Sequence, residues 1–255
     1  MKLPQPLNPA AERIVTEQEK IKPFLTAGTW HAWLSAVIME MNRLKEDTDV
    51  RTALTAAVNC AMLGLPPGGS TGYCYFVNFN VKRQGAKVLG CQLIPGYHGY
   101  IELAYSNNFL KDLHTEVVVA EEEPEFRHWT NSDGPQIEHQ VVLDRDKSRQ
   151  NIRAAYCLYT TKAGGRGIKV IDKREIEEVA KEKINSKYGN PWKTHYAAMA
   201  EKTAILRAAK RWKKSPELAL ALRLDDQAEI GLEQTAEADL EASNELLDLG
   251  NLKEE

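Results

Sequence analysis

The chain has 255 residues, 43% of them hydrophobic, enough for one large domain or two small ones with a real core. Its formal net charge of −3 hides a division: from Asp225 to Glu255 eleven acids face one lysine, a net −10, which leaves +7 on residues 1–224. The N-terminus, MKLPQPLNPAAERI, has no apolar run and no later stretch approaches about 18 apolar residues, so neither a secretory signal nor a membrane span is expected. Cys60, Cys74, Cys91 and Cys157 have no CxxC or metal-ligand spacing and are expected to be reduced core thiols.

Asn8 is placed to cap a first helix, with Pro9 at its first position, running to about Lys20. Gly28 or Thr29 opens a second helix, Trp30 to Lys45, whose Trp30, Trp33, Leu34, Val37, Ile38, Met41 and Leu44 recur at helical spacing, the aromatics being expected in the core. A third helix is predicted from Val50 to Leu63. It stops at GLPPGGSTG, where two prolines and four glycines in nine residues cannot continue it. That loop has no GK[ST], so it is no nucleotide cradle, although its backbone N–H groups are of the kind that meet a phosphate.

Tyr73–Asn80 and Lys87–Ile94 alternate as strands around VKRQGA, a hairpin whose tip carries Lys82, Arg83 and Lys87. Pro95-Gly96 breaks the second strand, and Tyr97–Asn108 is expected to be helical. Leu113–Ala120, Glu125–Trp129, Gln136–Leu143 and Ile152–Thr160 are four further strand candidates, and Ile168–Ile171 closes a hairpin across AGGRG. Lys162, Arg166 and Lys169 make that turn a second basic projection. Asp172 is placed to cap a helix from Lys173 to Lys187. After Leu224 the acidic composition suggests a disordered or weakly helical tail.

The stretch GNPWKTHYAAMAEKTAILRAAKRWKK, Gly189 to Lys214, predicts one long helix with Asn190 as N-cap and Pro191 at its first position. On a helical wheel Ala197, Ala204, Ile205, Ala208, Ala209 and Trp212 form the core-facing arc. His195, Lys202, Arg207, Lys210, Arg211 and Lys214 fall on the other half, with Trp192, Tyr196, Met199 and Leu206 among them. After Glu201 this face carries only positive charge. Cations interleaved with exposed aromatics suit a nucleic-acid backbone and its bases. The plainer alternative, a basic last turn complementing the helix dipole, accounts for Lys210 to Lys214 but poorly for Lys202 and Arg207.

No catalytic motif is found. Glu121, Glu122, Glu123 and Glu125 could hold a divalent metal, but no His or spaced Asp completes a site, and a solvated acidic loop is the better reading. The six histidines show no HExxH.

Three segments resemble, in order and spacing, motifs of the RecT family of phage single-strand annealing proteins: LPPGGSTGYCYFVNF, LIPGYHGYIELAYSNNFLKDL and NPWKTHYAAMAEKTAILRAAKRW. The resemblance covers roughly Val15 to Leu224. It departs at His98, where an Arg is common, and at Ala208, where a second Arg often follows. It implies an α+β fold, a central antiparallel sheet with hairpins packed by a core helix and flanked by N- and C-terminal helices, ahead of a disordered acidic tail. Residues 1–224 would form the DNA-binding and annealing domain and 225–255 the tail.

The implied activity is ATP-independent binding and annealing of single-stranded DNA in homologous recombination, performed by an oligomer such as a filament, without enzymatic catalysis. No cofactor is required, Mg2+ assisting only by screening phosphates. The partners would be single-stranded DNA, the annealed duplex, further copies of the chain, a companion exonuclease and a single-strand-binding protein, in the cytoplasm of a bacterial host carrying the phage or prophage. The residues expected to meet DNA are Lys82, Lys87, Tyr97, His98, Lys162, Arg166, Lys169, Trp192, His195, Lys202, Thr203, Arg207, Lys210, Arg211 and Lys214. A nucleic-acid packaging module without annealing activity and a metal-dependent nuclease built on Glu121–Glu125 are the alternatives.

Overall fold

The computed structural model describes residues 7–25, 29–69, 71–83, 86–184, 191–229 and 232–234. In chain order the described elements are α1 (Pro9–Thr16), α2 (Gln18–Ile21), a 3-10 turn (Lys22–Phe24), α3 (Trp30–Met41), α4 (Val50–Leu63), β1 (Cys74–Arg83), β2 (Ala86–Pro95) and α5 (Tyr97–Ser106). There follow β3 (Leu110–Val119), β4 (Arg127–Asn131), β5 (Gly134–Glu138), β6 (Ile152–Thr161), β7 (Arg166–Asp172), α6 (Lys173–Ile184), α7 (Pro191–Thr194), α8 (Tyr196–Ala209) and α9 (Pro216–Glu229). The fold is α+β, and every strand pairing described is antiparallel, as expected. In place of one central sheet there are, among the described residues, three: β1-β2, β3-β6-β7 and β4-β5.

The chain forms two compact units, residues 1–102 with 214–255, and residues 103–213. In the first, Asn8 caps α1 by accepting from the Ala11 N–H at 2.8 Å. Asp49 likewise accepts from the Thr52 N–H at 2.9 Å to start α4, and Gly64, at φ +66°, ends it in the left-handed conformation a glycine takes without strain. The α4 helix packs on β2, α1 and α9. Its first turn and the residue before its cap also hold the hairpin by polar contacts: the Thr52 hydroxyl oxygen accepts from the Cys91 N–H at 2.8 Å, and Asn78 of β1 donates to Thr48 at 2.7 Å.

Two glycines weld α5 to the preceding loop. A side chain on Gly96 would lie 2.0 Å from the Gly72 carbonyl oxygen, and one on Gly99 would lie 2.3 Å from that of Tyr73. The closeness is needed because the Gly96 N–H donates to the Tyr73 carbonyl at 2.8 Å. Helix α9 continues past Leu224, where an acidic tail was expected to begin. Beyond it, Gln234 accepts from the Leu93 N–H at 2.8 Å and donates back to the Leu93 carbonyl at 2.7 Å, so one buried amide occupies that backbone position of β2. Residues 235–255 of the tail lie outside the described residues.

The second unit lays α8 across β6, β3 and β7. Val117, Val118, Val119, Ile152, Ala155, Tyr156, Cys157 and Ile171 supply the sheet's share of the core, and Ala200, Ala204, Ile205, Ala208 and Ala209 the helix's share. Asp172 caps α6 by accepting from the Glu175 N–H at 2.8 Å. All four cysteines are buried and unbridged.

Candidate nucleic-acid interface

The expected long helix is two helices. His195 leaves helical geometry, at φ −136° and ψ 49°, and separates α7 from the 14 residues of α8. Asn190, the expected cap, lies outside the described residues. What fixes the start of α8 is a set of contacts on Tyr196. Its hydroxyl donates to Glu177 Oε1 at 2.8 Å, Arg149 Nε donates to the same oxygen at 2.9 Å, and the Arg149 guanidinium stands 5.6 Å from the Tyr196 ring centroid. The Arg149 hydrogen bonds chiefly hold the Glu177 carboxyl at about 2, while burial, and then Glu177, push the Tyr196 phenol well up.

This arrangement overturns the expectation of exposed aromatics along the helix. Trp192 is buried and meets Tyr196 edge-on, with ring centroids 5.4 Å apart. Trp212, placed on the core-facing arc, is buried as expected, against Phe109 and Tyr159 at 6.2 and 5.6 Å. Thr203 is also buried, and its hydroxyl donates to the Met199 carbonyl at 2.8 Å. A wheel places these residues by angle alone, whereas the break at His195 and the sheet beneath α8 decide which of them reach solvent.

The cations remain at the surface. Lys162, Arg166, Lys193, His195, Arg207, Lys210, Arg211 and Lys213 are exposed, and Lys169 and Lys202 are half-buried. Two of them meet on one carboxylate: Arg207 Nε lies 3.3 Å and Lys169 Nζ 3.5 Å from the oxygens of Glu175 at the head of α6. With Arg207 and Glu175 both about a third or more exposed, 43% and 31%, that contact contributes little to stability and leaves the guanidinium open to a competing phosphate. Arg166 donates to Gln136 Oε1 on β5 at 3.0 Å, so the basic turn before β7 is tied to the β4-β5 hairpin.

The other expected residues fall in the first unit. Tyr97 and His98 open α5, with ring centroids 3.9 Å apart, beside the glycine contact that the GYHG segment creates. Lys214 belongs to this unit as well. Lys82 and Lys87 face each other across the β1-β2 register, and their side chains lie outside the described residues.

The glutamate run conceals a feature that the sequence reading missed. Glu122 is buried, and its carboxylate accepts from the Val119 N–H at 3.1 Å, the Val142 N–H at 3.1 Å and Arg145 at 2.9 Å, with His139 Nε2 at 3.0 Å. Arg145 reaches on to Glu116 at 2.7 Å, which also binds Lys147 at 3.1 Å. Burial acts to raise the Glu122 carboxyl, but these bonds outweigh it and hold it below the ordinary range. Glu121 accepts from Asn151 and Glu123 pairs with Arg153 at 3.3 Å, so three of the four carboxylates already have protein partners. Among the described residues no group of three or more His, Cys, Asp or Glu is arranged to hold a metal.

A family model described as the RecT family matches residues 33–239. The chain belongs to the RecT family. Among curated proteins it is similar to Protein RecT of Escherichia coli (strain K12), with 30% identity over 187 residues, 72% of this chain and 66% of that one. It is similar also to Uncharacterized protein YqaK of Bacillus subtilis (strain 168), with 26% identity over 208 residues, 81% of this chain and 66% of that one. The chain thus matches just under two thirds of each relative's length. The RecT match takes in both units: the glycine-tight loop and the start of α5 in the first, and the α8 cations of the second. No helix among the described residues is long and apolar enough to cross a membrane.

Proposed function

We propose that this chain binds single-stranded DNA and anneals complementary strands in recombination, without a nucleotide and as an oligomer. The observation that carries the reading is the RecT-family match across residues 33–239. The exposed cations of α8, its flanking turns and the 162–169 turn supply the means, because neutralising phosphates removes the repulsion that keeps two strands apart. Base pairing then provides the free energy, so no hydrolysis is needed. The 14 residues of α8 span roughly 21 Å, too short to align strands of useful length alone, which is why several subunits are required.

Residues 1–224 are the proposed DNA-binding and annealing body. Further copies of the chain, a companion exonuclease and a single-strand-binding protein are its proposed protein partners in the bacterial cytoplasm, with Mg2+ only as a screen for phosphates.

The test adds one oligonucleotide, then its complement, without ATP, and follows duplex formation and particle size together from about 50 to 200 mM salt. Annealing by large particles, with affinity falling steeply as salt rises, is expected. Binding without accelerated duplex formation would leave a packaging module. Annealing by a strict monomer would defeat the oligomer, and a requirement for ATP would defeat the reading as a whole.

A further inference from the structure

An exposed tryptophan, Trp129, lies on β4. Of the chain's five tryptophans, Trp30, Trp33, Trp192 and Trp212 are 2–4% exposed, whereas Trp129 is 46% exposed. Alternation along the strand puts Arg127, Trp129 and Asn131 on one side of β4 and His128 and Thr130 on the other. The His128 side is anchored: its ring lies 5.9 Å from Phe126, which in turn packs on His139 and Tyr156 at 5.5 and 5.9 Å. The Trp129 side is open, and among the described residues no ring stacks on it.

Two arginines are placed on the ring's side of the hairpin. Trp129 is paired in register with Gln136, and that glutamine accepts the hydrogen bond from Arg166 at 3.0 Å. Arg166 is thereby held on the Trp129 side of the hairpin. Arg127, two residues before Trp129, donates to the carbonyls of Pro124 and Phe126 at 2.6 and 3.1 Å, which orient its guanidinium without neutralising it. One acid, Glu138, stands opposite Arg127 in the register.

We propose that Trp129, flanked by Arg127 and Arg166, is a platform on which a base of the bound single strand stacks. The inference rests on the single-strand-binding reading and adds to it the residue that meets bases rather than phosphates. A flat ring is indifferent to base identity, and two guanidinium groups beside it suit the phosphates on either side of a stacked base. The 162–169 turn and the β4-β5 hairpin then act as one surface, joined through Arg166 and Gln136. A second copy of the chain is the competing occupant, given that Val141, Val142 and Leu143 are also exposed nearby in sequence. Arg127 and Arg166 on the same side of the hairpin favour the nucleic acid.

The wild-type protein reports on this directly, because its other four indoles are buried. Oligothymidylate should quench the exposed indole and shield it from acrylamide, while an abasic oligomer of equal length should bind through its phosphates and leave the emission unchanged. Trp129→Ala should weaken oligothymidylate binding about tenfold and abasic binding hardly at all, and Trp129→Phe should retain most of the affinity. Unchanged emission with oligothymidylate bound would overturn the proposal. So would an equal loss on both oligomers, or a smaller particle without DNA, which would make Trp129 a subunit contact. Failure of the wild type to bind either oligomer would instead sink the single-strand reading itself.

Discussion

The two units solve the same problem, a helix held to antiparallel strands, with different chemistry. In the first, backbone groups are tied directly: Thr52 to Cys91, Gln234 to Leu93, and Gly96 to Tyr73 beside a Gly72 carbonyl that leaves no room for a side chain on Gly96. In the second, charged side chains do the tying: Glu201 of α8 accepts from Thr115 of β3 at 3.1 Å, Glu177 of α6 binds Arg149 of the loop leading into β6, and Glu122 with Arg145 pins the loops beside the sheet. The first unit is therefore sensitive to volume and the second to charge.

The comparison is broken most severely at Gly96. Gly96→Ala places a methyl 2.0 Å from a carbonyl oxygen, and neither partner is a movable side chain. A loss of more than about 4 kcal/mol is expected in denaturant melts. A mild loss would show that the loop gives way and that the glycine contact is not what holds α5.

Next in size is Glu122→Ala. It removes the carboxylate shared by His139, Arg145 and two backbone N–H groups and leaves Arg145 with Glu116 and the Val117 carbonyl. Breaking such a buried pair costs about 3 kcal/mol. Hydrogen exchange should show β6 amides losing protection while β2 amides keep theirs. Equal loss in both strands would erase the distinction between the units.

Acid should separate the units without any mutation. Glu177 falls from its ordinary 4.5 to about 2, with its hydrogen bond to Arg149 the first cause, and Glu122 is also depressed. A depressed carboxyl contributes stability in full above pH 4.5 and loses it as pH falls through the folded value, here about 2. Protection in the second unit is expected to decline across that window before protection in the first. The reverse order would mean that these pairs do not govern stability.

The smallest effect on stability belongs to Arg207→Ala. Its exposed contact with Glu175 contributes at most about 1 kcal/mol, so the melt should hardly move while DNA affinity falls. A large destabilisation would make Arg207 a structural residue and return the basic face to an ordinary surface role.

Much of the fold was legible where a helix end announces itself in a few residues. Asn8 and Asp172 each cap the helix that follows, as expected, and α4 stops at Gly64, where the Gly- and Pro-rich loop was expected to end it. The strands were legible by alternation, but their division among three sheets was not, because pairing is chosen across long separations. The site fared less well. Tyr196 is set by Glu177, 19 residues earlier, and by Arg149, earlier still, so a wheel had no means of burying it. Glu122 was hidden for a similar reason: in sequence it is one of a run of acids, and only His139 and Arg145 distinguish it. Trp129 lay in a predicted strand whose exposed side alternation alone does not identify.

The amide of Gln234 bonded to Leu93 bears on how the protein is made. The two residues are 141 positions apart, and all of residues 103–213 is synthesised between them. During translation the inserted unit has every one of its own residues before the first unit has its last. The ribosome therefore presents a nascent chain whose middle can finish folding while its beginning waits, with Leu93 still bonded to water. Closing so long a loop late is slow by comparison with local pairing. A truncation just before Gln234 would mimic that waiting state, and it would be the natural species on which to look for chaperone binding.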